Sequence, residues 1–215
     1  MFVVLRGERS TNLVYIAVAV FIIILIIFTI LYINSELIRA KIEIEFLPEG
    51  WIESGERGYR EGFLGLEKQD SFKYIVDENF DDLYPAFLTV TAIKTLFMMN
   101  EEELLSKTIE TIDLAANEKN IIIDEDSKIE GERVLNNSHG TFYVIFNGTD
   151  NSNNVSENIK IIGETWNCPR SGTSVICIGV AQITDNLHNP SSENLSHWNE
   201  IIRKDGLIYN VICHK

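Results

Sequence analysis

Residues 13–33 read LVYIAVAVFIIILIIFTILYI, an uncharged and almost wholly apolar run that decides what kind of chain this is. A helix rises about 1.5 Å per residue and the hydrocarbon core of a bilayer is about 30 Å thick, so about 20 apolar residues span it. The run has no Gly or Pro, and a single unbroken helix pairs its backbone groups internally, as lipid requires. Tyr15 and Tyr32 sit near its ends, where amphipathic rings settle at the membrane interface. A cleaved secretory signal has a shorter apolar core, about 7 to 15 residues, followed by small residues at the cleavage site. This run instead leaves through Tyr32, Ile33, Asn34, Ser35 and Glu36, without an Ala-x-Ala. The sequence therefore predicts one retained transmembrane helix with ends at Leu13 and Ile33, residues 1–12 as a cytoplasmic tail and 34–39 as a juxtamembrane linker.

The remainder has the opposite character. Of 215 residues, 32 are acidic and 18 basic, and the mean hydropathy of +0.02 averages two unlike parts. Setting aside Arg6, Glu8 and Arg9 leaves 31 acidic and 16 basic residues after Ile33, a formal charge of −15. That argues against binding nucleic acid or anionic lipid head groups, because phosphate contacts need clustered Lys and Arg. Orientation is balanced, with Arg6 and Arg9 against Arg39 and Lys41 near the two ends. The short tail favours an N-terminus inside. Asn-x-Ser/Thr acceptor patterns begin at Asn136, Asn147, Asn154 and Asn194, where residue abundance alone gives about two, and such patterns mark surface loops of exported proteins. The expected location is the cell membrane, with residues 40–215 outside as one domain that carries these four candidate glycosylation sites.

That domain is long enough to bury about 70% of its unfolded surface. Residues 41–46 alternate apolar and charged, the period of a half-buried strand, and Pro48, Glu49, Gly50 and Trp51 break it as a turn. Further strand-like runs cover 72–76, 86–97, 128–135, 141–147, 159–168, 173–184 and 207–214, separated by Gly, Asn, Asp or Pro, which predicts an antiparallel sheet. Four glycines between Gly55 and Gly65 suggest a mobile loop, and the polar stretch 147–158 a flexible excursion. A first helix starts at Asn100 as N-cap, with Glu103 three residues on, and places Leu105, Ile109, Ile112 and Ala116 on one face. A second starts after Pro190 with Ser191 or Ser192 as cap, shows Leu195, Trp198, Ile201 and Ile202 on one side, and stops at Asp205-Gly206. Both one-sided helices are expected to lie against the sheet. The fold class is α+β: an N-terminal transmembrane helix, then an antiparallel sheet with helices packed on it.

A four-residue turn at 169–172 sets Cys168 opposite Thr173 and Cys177 opposite Glu164. Cys168 and Cys177 are then on the order of 13 Å apart, beyond the limit of about 7 Å between bridged Cα atoms. A disulfide from Cys168 to Cys213 is expected instead, closing a loop of about 45 residues. Three reduced core cysteines are the alternative, if the domain faces the cytoplasm. The spacing of His139, His188, His197 and His214 offers no ligand pairs, and no Cys-x-x-Cys exists, so neither metal nor cofactor is predicted. Asp124, Glu125 and Asp126 begin like a calcium loop, but Lys128 stands where an oxygen ligand belongs. Glu53, Glu56 and Glu61, and the rings of Trp51, Trp166 and Trp198, read as surface and core residues. No nucleophile elbow, phosphate cradle or kinase signature is present.

The sequence 46–51 (Phe, Leu, Pro, Glu, Gly, Trp) at the domain start, the long strand and helix at 86–116, the two late strands at 159–184 and the helix with Trp198 resemble the PsbP/Mog1-type sandwich, including its membrane-anchored archaeal versions. The resemblance covers residues 41–203 and implies a non-catalytic module that docks to proteins or binds small ligands. The expected function is thus a membrane-anchored extracellular binding or protein-interaction domain with a protein partner. Its rivals are a pilin-like structural subunit, whose first seven residues would be removed, and an extracytoplasmic hydrolase, which would show a pocket of convergent polar groups.

Overall fold

The computed structural model describes residues 7–33, 35–62, 65–80, 85–151, 156–183 and 197–214, and the side chains of these except 7–13 and 33. The first element is α1 (Gly7–Ile33). Its window Val14–Tyr32 is long and apolar enough to cross a membrane, and none of it is buried inside the protein. Then come β1 (Lys41–Ile42), β2 (Trp51–Glu61), β3 (Glu67–Val76), β4 (Ala86–Thr95), α2 (Glu101–Lys119), β5 (Ile121–Val134), β6 (Gly140–Asp150), β7 (Glu157–Cys168), β8 (Thr173–Gln182), α3 (Trp198–Ile202) and β9 (Val211–Ile212). Seven strands form one antiparallel sheet in the order β2-β3-β4-β8-β7-β6-β5, and β1 pairs with β9 beside it. The fold is α+β, an apolar N-terminal helix followed by an antiparallel sheet carrying packed helices.

Both faces of the sheet are covered. Asn100 accepts from the Glu103 amide at 2.8 Å and opens α2. The buried positions of α2 are Leu104, Thr108, Ile112 and Ala116, with Leu105 and Ile109 packed at the flank, so Ile112 and Ala116 are buried as expected while Leu104 and Thr108 take the centre of the stripe in the first turns. It lies against Val144, Phe146, Ile159 and Ile161. Gly163 of β7 permits the approach, since a Cβ there would stand 2.6 Å from Thr108 Cγ2. On the opposite face α3 and residues 207–213 cover Tyr74, Leu88, Val90, Trp166, Val175 and Cys177. There Gly179 makes room for Ile201, 2.8 Å from the place a Cβ would take. Under this layer the fully buried Glu164 receives two guanidinium bonds from Arg133 and the Thr141 hydroxyl at 2.6 Å.

Several expectations are corrected. Residues 41–46 pair only at Lys41 and Ile42, because the partner β9 offers two residues; Ile44–Phe46 then winds as an exposed 3-10 turn. The first part of the glycine-rich stretch, through Glu61, is not a loop but the edge strand β2, in which Gly55 at φ +73° sits within a bulge between Glu53 and Arg57. Strands β6 and β7 run to Asp150 and from Glu157, shortening the polar excursion. Residues 207–214 hold a 3-10 turn, Ile208–Asn210, before the short β9. The proposed cap residues Ser191 and Ser192, with Leu195, His188, Asn154 and Asn194, lie outside the described residues. Asn147 is exposed on β6, and Asn136 donates its side-chain amide to Lys204 O at 3.3 Å.

The register places at one end of the large sheet the close of β2 and start of β3, the connection 96–100, and the turns 135–139 and 169–172. The end of α1 meets the sheet at this same end, where Tyr32 Oη donates to Leu66 O at 3.4 Å and Lys68 Nζ to Ser35 O at 3.0 Å.

Candidate metal centre

Three segments deliver four ligand-type side chains to that end. Cys168 is the last residue of β7, and the turn after it closes with Gly172 at φ +63°, its amide donating to Cys168 O at 2.9 Å. The expected hairpin register is observed, with Cys168 opposite Thr173 and Cys177 opposite Glu164. His139 closes the tight β5–β6 turn, in which Leu135 donates to His139 O at 3.0 Å and Ser138 takes φ +65°. Asn137 ties that turn to Val211 O at 3.0 Å. Cys213 and His214 follow β9, which β1 holds in place through Lys41↔Ile212 and Ile42↔Val211. Tyr74 Oη clamps that pair, accepting from Ile42 N at 2.8 Å and donating to Ile42 O at 3.3 Å.

The ligand atoms of His139, Cys168, Cys213 and His214 all lie within 4.8 Å of one another. Cys168 Sγ is 3.3 Å from His214 Nδ1, and Cys213 Sγ is 3.3 Å from His139 Nε2 and 3.6 Å from His214 Nδ1. Tetrahedral zinc, with Zn–S near 2.3 Å and Zn–N near 2.0 Å, separates sulfur from nitrogen by about 3.6 Å. The set therefore fits a closed Cys2His2 site with small adjustments. Both sulfurs are fully buried and both imidazoles half-buried. Cys168, Cys177 and Cys213 are all free thiols. The expected Cys168–Cys213 bridge is not made; its two sulfurs share their cluster with the two histidines instead.

The surroundings match the same chemistry. Burial, together with a hydrogen bond that the Cys213 thiol donates to Cys168, pushes the Cys213 thiol up to about 12, while the Trp166 indole N–H favours its thiolate. That N–H is otherwise an orphan, buried without an oxygen or nitrogen partner. A metal-bound thiolate would supply its acceptor, as outer-shell donors do for coordinated sulfur. His139 stacks on Trp166 at 6.5 Å between centroids. Burial, then the neighbouring His214 and Arg170, lower its pKa, which keeps it neutral and able to ligate. Arg170 Nη1 lies 3.1 Å from His214 Nε2. This contact runs the other way: a guanidinium can only donate, so it puts the His214 proton on Nδ1, the nitrogen facing the sulfurs, and His214 must move that proton to Nε2 and give up the Arg170 contact in order to ligate.

Beside His214 a cleft of about 950 Å³ opens between the linker and β2–β3. Arg57 grips the buried Asp70 there with bonds of 2.8 and 2.6 Å, and Arg39 approaches it at 3.3 Å. These charges answer one another across the linker. Asp124 is bound within a bulge of β5 by Asp126 N and the Ser127 hydroxyl, as a solvated turn. Trp51 is a core residue that donates to Glu200 at 2.6 Å. Spacing along the chain missed the metal-type cluster because its ligands come from three strand ends. The usable signal was topological: Cys168 ends a strand, His139 precedes one, and Cys213-His214 is an adjacent pair. The chain matches no protein-family model, no curated protein and no solved structure.

Proposed function

We propose that this is a single-pass membrane protein, with its N-terminus inside, whose α+β domain stands outside the cytoplasm as a non-catalytic binding module and holds one zinc-type ion on His139, Cys168, Cys213 and His214. The observation that carries the metal reading is the mutual approach of two thiols and two imidazoles within 4.8 Å. Four protein ligands fill a tetrahedral ion, so the centre is structural, with no position left for substrate. Its work is to fasten the segment after β9, and with it β1 and the root of the anchor, to the end of the sheet. The resemblance to PsbP/Mog1-type accessory domains supports a partner-binding role for the surface so held, and the apolar span of α1 supports the anchor.

The test is metal analysis of the full chain purified in detergent, followed by replacement of zinc with cobalt, whose tetrahedral thiolate complexes absorb strongly. One metal per chain, lost in Cys168→Ser and His139→Ala, is the expected result. Metal-free protein with a Cys168–Cys213 disulfide by non-reducing mass spectrometry would overturn it.

A further inference from the structure

Strand β4 runs toward the end of α1. Lys94 Nζ donates to Glu36 O at 3.1 Å and lies 5.8 Å above the ring of Tyr32, the last residue of the apolar window. The chain then continues beyond Thr95 into Leu96, Phe97 and Met98, all exposed, with Phe97 at 82%. Three consecutive large apolar side chains in water are a liability unless something covers them. Phe97 is three residues past Lys94, at most about 10 Å of chain. The headgroup layer flanking the hydrocarbon core is itself about 5–8 Å deep. The loop thus lies in the neighbourhood of the bilayer surface fixed by Tyr32.

We infer that residues 96–98 seat in the interfacial layer of the bilayer that α1 crosses, giving the domain a second contact with lipid. The inference rests on the anchor reading. Aromatic and aliphatic side chains are the ones that partition to this depth. A protein partner would have to fit between the sheet end and the membrane. The acidic residues Glu101, Glu102 and Glu103, which follow at the start of α2, disfavour an anionic surface. The occupant is therefore zwitterionic lipid. With the loop seated, the sheet end, and the metal centre at that end, is held against the membrane instead of swinging on the linker.

The experiment places p-benzoylphenylalanine singly at Ile23, Phe97 and Ile122 in the full chain reconstituted in phosphatidylcholine vesicles, with adducts read by mass spectrometry after irradiation. Lipid adducts at positions 23 and 97, with none at exposed Ile122 on the far edge strand, are expected. Adducts at 23 alone, or crosslinks from 97 to a second copy of the chain, overturn the docking while the anchor stands. No lipid adduct at 23 removes the anchor and the docking with it.

Discussion

Metal uptake should release protons, and Cys213 sets how many and at what cost. Its thiol is pushed up to about 12, by burial first and its hydrogen bond to Cys168 second, so Cys213 is protonated at pH 7. A divalent ion binds the thiolate, so the proton must leave as the metal enters. The sign follows directly: protons compete with metal, so affinity rises with pH throughout the range below about 12. His139, its pKa lowered chiefly by burial, is already neutral near pH 7 and adds no competing proton there. The apparent Kd should fall at least tenfold per pH unit between pH 7 and 8. Titration calorimetry in two buffers of different ionisation enthalpy counts the protons, and cobalt absorbance at each pH gives the affinity. At least one proton per metal is expected, with a flatter slope in Cys213→Ser. A Kd independent of pH, or uptake without proton release, would refute the assignment of Cys213 as a buried ligand.

Removing Arg170 should tighten the site: Arg170→Ala frees His214 Nε2 to carry the proton when Nδ1 takes metal, and removes a nearby cation, so cobalt affinity rises several-fold; an unchanged or weaker Kd counts against the tautomer argument. At the sheet–helix contact, Gly163→Ala drives a methyl to 2.6 Å from Thr108 and 2.8 Å from Ile112, an overpacking cost of about 1–3 kcal/mol, visible as a Tm lowered by several degrees with metal affinity intact. Glu164→Ala strands the Arg133 guanidinium under α3 and should cost about 3–5 kcal/mol in urea unfolding of the detergent-solubilised chain; a loss below about 1 kcal/mol would show the pair to be solvated.

Much of this architecture was legible because local chemistry is strong where the sheet is regular. Pro169 to Gly172 make a four-residue turn, and that alone fixes which residues of β7 and β8 face each other, Cys177 and Glu164 among them. Asn100 and Glu103 mark the start of α2 by the orphan amides they answer. What failed was reading glycine as mobility: in β2, Gly55 lets an edge strand bulge and resume its ladder at Arg57. The metal centre was hidden for a different reason. Cys168 and His139 belong to different hairpins, and Cys213 reaches them only through β9 on β1, a pairing that no local pattern announces. The proximity of Cys168 to Cys213 was visible; that it would be shared with two imidazoles was not.

The β1–β9 ladder also imposes an order on the making of the protein. Strand β1 precedes every strand of the large sheet and β9 follows them all, so the two can meet only after everything between them has been synthesised. Until then β1 has no strand partner, and half of the metal ligands do not yet exist. The seven-stranded sheet can assemble progressively; the β1–β9 ladder beside it cannot. A chain broken off before Val211 would therefore carry a largely built sheet with β1 unpaired and only His139 and Cys168 of the metal ligands in place.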